Sequence, residues 1–420
     1  MPRALLVSWL FPPQLSIGAK RAYRFARHLP LLGWEATVLT RRRAPARAYD
    51  PTPHPLPDGV RVLRDYDHAA FPALEDALSG GGERARAVAI SRGPTFAERA
   101  TPLETEAIHA PHLAAVLDRE LPRHDLVWTT SFPFHTHLVA MRAARRHGTP
   151  WVADLRDPWT DNWNHRHKLP LTRALEARWE REVFARADAV VVTAEGLAQR
   201  YRQRFPRLAD KFVAVHNCWD GPAPTPAPRV DDGALRLVHF GNVYGPRSLR
   251  TVLAAMARLR DDPSAPKVHL ENLGSVSTPD MDVVRSLGLS DRVTVSPPLP
   301  WAEGISRLAS ADLLVLADWG VDDGALFVPG KLYDYLLAAR PMLVETRHRE
   351  LRDIVARTGS GRCVDPGDVS AVCEALGDLA AGRPVSPTPR DDDAVRYYSA
   401  PEATARLAAI FDRVSSRARP

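Results

Sequence analysis

The sequence predicts an α/β protein built from two doubly wound domains. Short apolar runs alternate with helical periodicity, and the same alternation restarts after a proline-rich break in mid-chain. At 420 residues the chain also exceeds what one hydrophobic core usually organises. A composition of 45% hydrophobic and 25% charged residues is ordinary for a folded chain and excludes global disorder.

The first domain is expected over residues 1–220. Residues 4–8 (Ala-Leu-Leu-Val-Ser) read as a short buried strand, followed by a turn holding Pro12, Pro13 and Gly18. From Ala22 the apolar positions Phe25, Ala26 and Leu29 follow one helical face, and Gly33 marks the exit. Further strands are expected at 35–40, 125–129, 151–154, 189–193 and 212–215. Residues 44–118, with the run Ser79-Gly80-Gly81-Gly82, keep no period and read as an irregular insertion. Alternating prolines between Asp220 and Pro228 read as a semi-rigid linker over 221–234, about which the two domains would move as units. The second domain, 235–400, repeats the pattern with strands at 235–241, 268–273, 293–296, 313–316, 342–345 and 362–364. A last helix over 401–420 offers Ala405, Ala408, Ala409 and Val414 for packing.

Several classes are excluded or disfavoured. The apolar stretch 4–11 ends at Pro12-Pro13, too soon for a signal-peptide core or a membrane span, and no later run reaches membrane length. Cys218, Cys363 and Cys373 have neither metal spacing nor the number for a disulfide framework, so a cytoplasmic location is expected. The pairs His135/His137 and His165/His167 lack supporting ligands, and no metal site is expected. No Gly-x-Gly-x-x-Gly follows a strand, which argues against a NAD-dependent oxidoreductase. Residues 1–220 hold 32 Lys and Arg against 24 Asp and Glu, whereas residues 221–420 hold 24 against 26. That asymmetry suits peripheral contact with the inner face of the plasma membrane or an acidic acceptor; an arginine surplus from a GC-rich genome is the alternative. No nucleic-acid partner is expected.

Ligands of open parallel sheets bind beyond the carboxyl ends of the strands, so the strand-to-helix turns are where chemistry belongs. Gly18 stands in the first such turn, where bare backbone and a helix N-terminus suit a phosphate. The turn Asp154-Leu155-Arg156-Asp157-Pro158-Trp159 gathers two carboxylates and a guanidinium, which must pair with one another or meet a ligand. In Gly241-Asn242-Val243-Tyr244-Gly245-Pro246-Arg247, the arginine stands at the start of the next helical pattern. In Val328-Pro329-Gly330-Lys331-Leu332-Tyr333-Asp334-Tyr335-Leu336, Lys331 opens a helix, where the dipole disfavours a cation unless an anion is bound.

The turns Phe240-Gly241-Asn242 and 328–336, taken with the Asp-x-Arg-Asp-Pro-Trp turn, resemble those of the GT-B retaining glycosyltransferases of the family-4 type (glycosyltransferase group 1). The resemblance extends over nearly the whole chain except 44–118. It implies two Rossmann-like domains facing across a cleft, acceptor in the first and nucleotide-sugar donor in the second. It further implies transfer with retained configuration, without metal or cofactor, to a lipid-linked, polysaccharide or natural-product acceptor. Carried over by position, Arg247 and Lys331 would meet the diphosphate and Asp334 the ribose. Gly18, Gly241, Asn242, Gly274 and Gly330 would line the nucleotide, with Asp154 and Arg156 as catalytic candidates. Two departures stand out. The first glutamate of the family's paired motif falls on Leu326, leaving Asp322 or Asp323 as substitutes, and many members have a histidine where this chain has Asp154-Leu155-Arg156. The alternatives are an epimerase or hydrolase of nucleotide sugars on the same fold, and an inactive binding subunit, which the Leu326 departure leaves open.

Overall fold

A computed structural model describes residues 1–14, 17–42, 53–68, 95–228, 232–243, 247–318 and 326–418. The chain divides into two compact units, one formed by Met1–Asn217 with Ala400–Pro420 and the other by Cys218–Ser399.

The first unit runs β1 (Arg3–Ser8), α1 (Ile17–His28), β2 (Glu35–Thr40), β3 (Val60–Arg64), α2 (Ala110–Glu120), β4 (Leu126–Ser131), α3 (His135–His147), β5 (Trp151–Leu155), α4 (Pro170–Arg186), β6 (Ala189–Val192), α5 (Glu195–Arg204) and β7 (Phe212–Ala214). Its seven strands are ordered β3-β2-β1-β4-β5-β6-β7 and pair in parallel throughout. Continuous apolar strands such as Ala4-Leu5-Leu6-Val7, fully buried, are what helices on both faces of a parallel sheet require. Each such Leu or Val stabilises the fold by about 1.5–3 kcal/mol relative to exposure.

The second unit holds β8 (Leu235–Phe240), α6 (Arg250–Arg260), β9 (Val268–Leu273), α7 (Thr278–Ser286), β10 (Val293–Ser296), α8 (Trp301–Ala309), β11 (Leu313–Ala317), α9 (Lys331–Ala338), β12 (Met342–Glu345), α10 (Arg349–Thr358), β13 (Gly361–Val364) and α11 (Val369–Ala380). Its sheet is ordered β10-β9-β8-β11-β12-β13. Leu237, Leu270, Leu313, Val315 and Leu343 build one face of its core against Val252, Leu253 and Met256 of α6 and Val372, Ala375 and Leu376 of α11.

Three features add to the sequence reading. The span 44–118 is not wholly irregular: it contains β3, the helical turn Phe96–Ala100, and α2, whose Leu113, Val116 and Leu117 are buried. Ser79-Gly80-Gly81-Gly82 lies outside the described residues. The proline-rich segment does not run free, because Ala227 donates its amide to Ser306 O at 3.0 Å and Ser306 Oγ donates to Thr225 O at 2.6 Å. Absent amides in prolines do not stop the residues between them from bonding to α8. Finally, the last helix, α12 (Ala400–Ala418), belongs to the first unit, where Asp412 accepts from Trp34 Nε1 at 2.9 Å and Phe411 meets the Trp34 ring edge-on.

At the carboxyl edge of the first sheet Asp154 of β5 and Arg21 of α1 form an ion pair with side chains 0% and 1% exposed. The guanidinium grips both carboxylate oxygens, at 2.9 and 2.6 Å. Its remaining donors reach Val215 O, His216 O and Asn217 Oδ1, and Thr130 Oγ1 donates to Asp154 from the neighbouring strand at 2.7 Å. Removing one partner strands a buried charge, whereas removing both does not. Asp154→Leu or Arg21→Met alone is therefore expected to cost about 3–5 kcal/mol, and the double variant distinctly less than the sum. Urea unfolding of the three variants measures this; strictly additive losses would contradict the coupling.

Candidate active site

In the second sheet the strand order reverses between β8 and β11, and the loops leaving these strands diverge to opposite sides. After β8 and β9 two loops are laced together. Gly241 N donates to Leu273 O at 2.7 Å, Val243 N to Ser275 O at 2.8 Å, and Ser275 N to Asn242 Oδ1 at 3.0 Å. Gly274 has φ +140°, and a Cβ there would lie 2.7 Å from the carbonyl carbon of Gly241. Only a bare backbone lets the loops touch this closely.

Lys331, the first residue of α9, extends over this turn. Its Nζ donates to His239 Nε2 at 2.9 Å and points toward Asn242 O at 3.5 Å. Burial, and secondarily the nearby charge of Arg247, push the Lys331 ammonium down to about 7. His239, fully buried, is held well below the ordinary histidine range by burial and by Lys331, and is neutral. Arg247 precedes α6, whose start is tied to α7 through Asp280: that carboxylate accepts from Ser248 Oγ and from Ser277 Oγ, each at 2.6 Å.

Gly330 caps α9 in an ordinary helical conformation. Asp334, one turn further, is buried and accepts from Trp301 Nε1 at 3.1 Å. Tyr335 on the same helix accepts from Phe240 N and donates to Val315 O, both at 2.9 Å, clamping the end of β8 and the middle of β11 to α9. Leu326 is described and partly buried; Asp322 and Asp323, like Tyr244, Gly245 and Pro246, lie outside the described residues.

The structure thus brings Gly241, Asn242, Gly274 and Lys331 together, with Arg247 near enough to act on the Lys331 charge and Asp334 on the same helix. In the first unit it separates what the sequence grouped. Asp154 is buried and accepts from Arg21 and Thr130. Arg156 does not need Asp154: its Nε donates to Ser131 O. Its guanidinium occupies the space a side chain on Gly18 would fill, so Gly18 makes room for Arg156 in the first turn of α1. His135 bonds Tyr66 OH at 3.1 Å and His137 bonds Thr129 Oγ1 at 2.8 Å, both from α3. Among the described residues no group of three His, Cys, Asp or Glu side chains could hold a metal, and no helix is long and apolar enough to cross a membrane.

Sequence reasoning missed His239, Asn272, Trp301, Tyr335 and Arg21. For two of these a signal existed: His239 and Asn272 are polar residues inside apolar strands, each two positions before a glycine, and they stand opposite each other in the β8–β9 register. Buried polar residues at such positions need partners.

Comparison with known proteins gives the fold. Across 99% of this chain and 100% of its own, sucrose-phosphate synthase from Thermosynechococcus elongatus superposes with TM-score 0.67 at 14% identity. The trehalose-phosphate synthase (UDP-forming) of Burkholderia vietnamiensis covers 99% and 100%, with TM-score 0.62 at 11% identity. Anabaena HepE in complex with UDP and glucose covers 98% and 100%, with TM-score 0.61 at 13% identity. No curated relative matches the chain. The fold is therefore GT-B, two Rossmann-like units of parallel sheet. Residues 18–218, within the first unit, match the glycosyl transferase 4-like domain.

The sequence contains five lysines, Lys20, Lys168, Lys211, Lys267 and Lys331. After reductive ¹³C-methylation, one lysine resonance, told apart from that of the terminal amine by its loss in Lys331→Arg, is expected to titrate near pH 7 and to move to higher pH when a nucleoside diphosphate is added. Five resonances all titrating near the ordinary lysine range would refute the environment described.

Proposed function

We propose that the protein moves a glycosyl group from a nucleoside-diphosphate sugar to an acceptor hydroxyl with retained configuration and without a metal. The observation that carries this is the cluster at the switch point of the second unit: Lys331 bent over the Gly241 turn, Arg247 beside it, and the N-terminus of α9 behind them. As the bond from sugar to diphosphate breaks, negative charge grows on the departing oxygen, and cations already held in place stabilise it without reorganising. The half-protonated state of Lys331 near pH 7 makes its positive charge available to an arriving anion. Asp334, already oriented by Trp301, supplies a carboxylate for ribose hydroxyls. A UDP nucleotide is the first donor to test, since the HepE neighbour is described in complex with UDP.

A thermal-shift panel of nucleoside diphosphates and nucleotide sugars tests donor binding, because a ligand of the native state raises stability by mass action. Incubation of the bound nucleotide sugar alone, then with lipid-linked, polysaccharide or natural-product acceptors, separates transfer from epimerisation and hydrolysis. Turnover is expected to need an acceptor and to survive EDTA; loss restored only by Mn²⁺ or Mg²⁺ would overturn the metal-free site.

Arg247→Ala and Lys331→Ala are each expected to lower kcat on the order of 10²-fold, as for deleting one preorganised donor. Arg247→Lys should also lose activity, since a point charge cannot replace a guanidinium that grips two phosphate oxygens. Steady-state kinetics at saturating acceptor decides this, and near-wild-type kcat/KM in both alanine variants would remove the assignment.

A further inference from the structure

Behind Lys331 lies a hydrogen-bonded chain whose direction is fixed from one end. Gly274 O, a backbone carbonyl, can only accept, and Asn272 Nδ2 donates to it at 2.7 Å. This sets which end of the Asn272 amide faces His239, so Asn272 Oδ1 accepts from His239 Nδ1–H at 2.6 Å. With its proton on Nδ1, the neutral imidazole presents the lone pair of Nε2 to Lys331 Nζ, 2.9 Å away. His239 and Asn272 are both 0% exposed, so water cannot replace either partner. The carbonyl at the origin of the chain belongs to Gly274, the residue that lies against the backbone of Gly241. The same contact that shapes the turn therefore also orients the lysine above it.

We infer that His239, with Asn272 behind it, is the positioning pair for the Lys331 ammonium, holding it by accepting its hydrogen bond and so fixing the point charge offered to the donor diphosphate. The inference rests on the reading of Lys331 as a diphosphate ligand. Lysine carries its charge on a flexible four-carbon stem and loses rotamer freedom when it binds. An acceptor that immobilises the ammonium beforehand removes part of that cost from each binding event. A neutral imidazole does this without adding a like charge, and without neutralising the cation as a carboxylate would.

Isothermal titration of UDP, GDP, ADP and CDP selects the diphosphate that wild type binds, and the matching nucleoside serves as the phosphate-free control. His239→Leu is expected to weaken the diphosphate about tenfold or more, the size of a lost hydrogen bond to a charged group, and to leave the nucleoside within about twofold of wild type on the same grounds. His239→Gln, whose Oε1 can stand where Nε2 stood, should recover most of the diphosphate affinity. Asn272→Leu frees the imidazole to carry its proton on Nε2, facing Lys331, and should weaken the diphosphate as well. Should His239→Leu fail to fold, His239→Asn, whose shorter amide replaces Nδ1 but does not reach Lys331, carries the same expectation. Unchanged diphosphate affinity in His239→Leu, or an equal loss for diphosphate and nucleoside, overturns the positioning role while leaving the donor site standing. Binding of none of the four diphosphates by wild type overturns the donor reading itself, and the positioning role with it.

Discussion

Asp154 sits where no water reaches it, and a carboxylate in that position is tolerable only because Arg21 meets both of its oxygens. The demand that every buried polar group find a partner shapes the rest of the molecule. It draws α1 onto β5 and ties the chain beyond β7 to the same guanidinium. In the second unit it produces the run from Gly274 through Asn272 and His239 to Lys331, and the clamp of Tyr335 on two strands. The apolar core supplies most of the free energy of folding. Polar pairing decides which arrangement of loops that core supports.

The two units handle the requirement differently at corresponding edges. In the first, two charges are paired with each other in the interior, Arg21 with Asp154, and Arg156 stands beside the start of α1. In the second, the cation is paired with a neutral acceptor, and its charge stays uncompensated. An ion pair stabilises structure at the expense of reactivity, whereas a cation held by an imidazole keeps its attraction for an anion.

Much of this was legible in the sequence. Strands β8 to β13 fall within a residue of where apolar runs placed them, β11 and β12 most plainly, because parallel strands buried on both faces cannot disguise their composition. Gly241, Lys331 and Arg247 were legible through glycine and charge at the ends of those runs. β3 was missed because it is an edge strand with its side chains mostly half-exposed, so Val60-Arg61-Val62-Leu63-Arg64 shows only a weak alternation. The partner of Asp154 was missed because Arg21 lies 133 residues away on a helix that reads as solvent-facing at that position. Pairing across such a distance follows from the order of strands in the sheet, which local periodicity does not contain.

The passage of the final helix back to the first unit bears on how the protein is made. Residues 1–217 are translated before the second unit, yet the groups that cover the Trp34 ring and accept its indole hydrogen, Phe411 and Asp412, are translated after it. The second unit, by contrast, is one continuous stretch, Cys218–Ser399, and is complete while α12 is still being translated. Domains ordinarily mature from the amino end as they emerge. Here the first unit has to wait until the whole of the second has been made before α12 can cover the Trp34 ring.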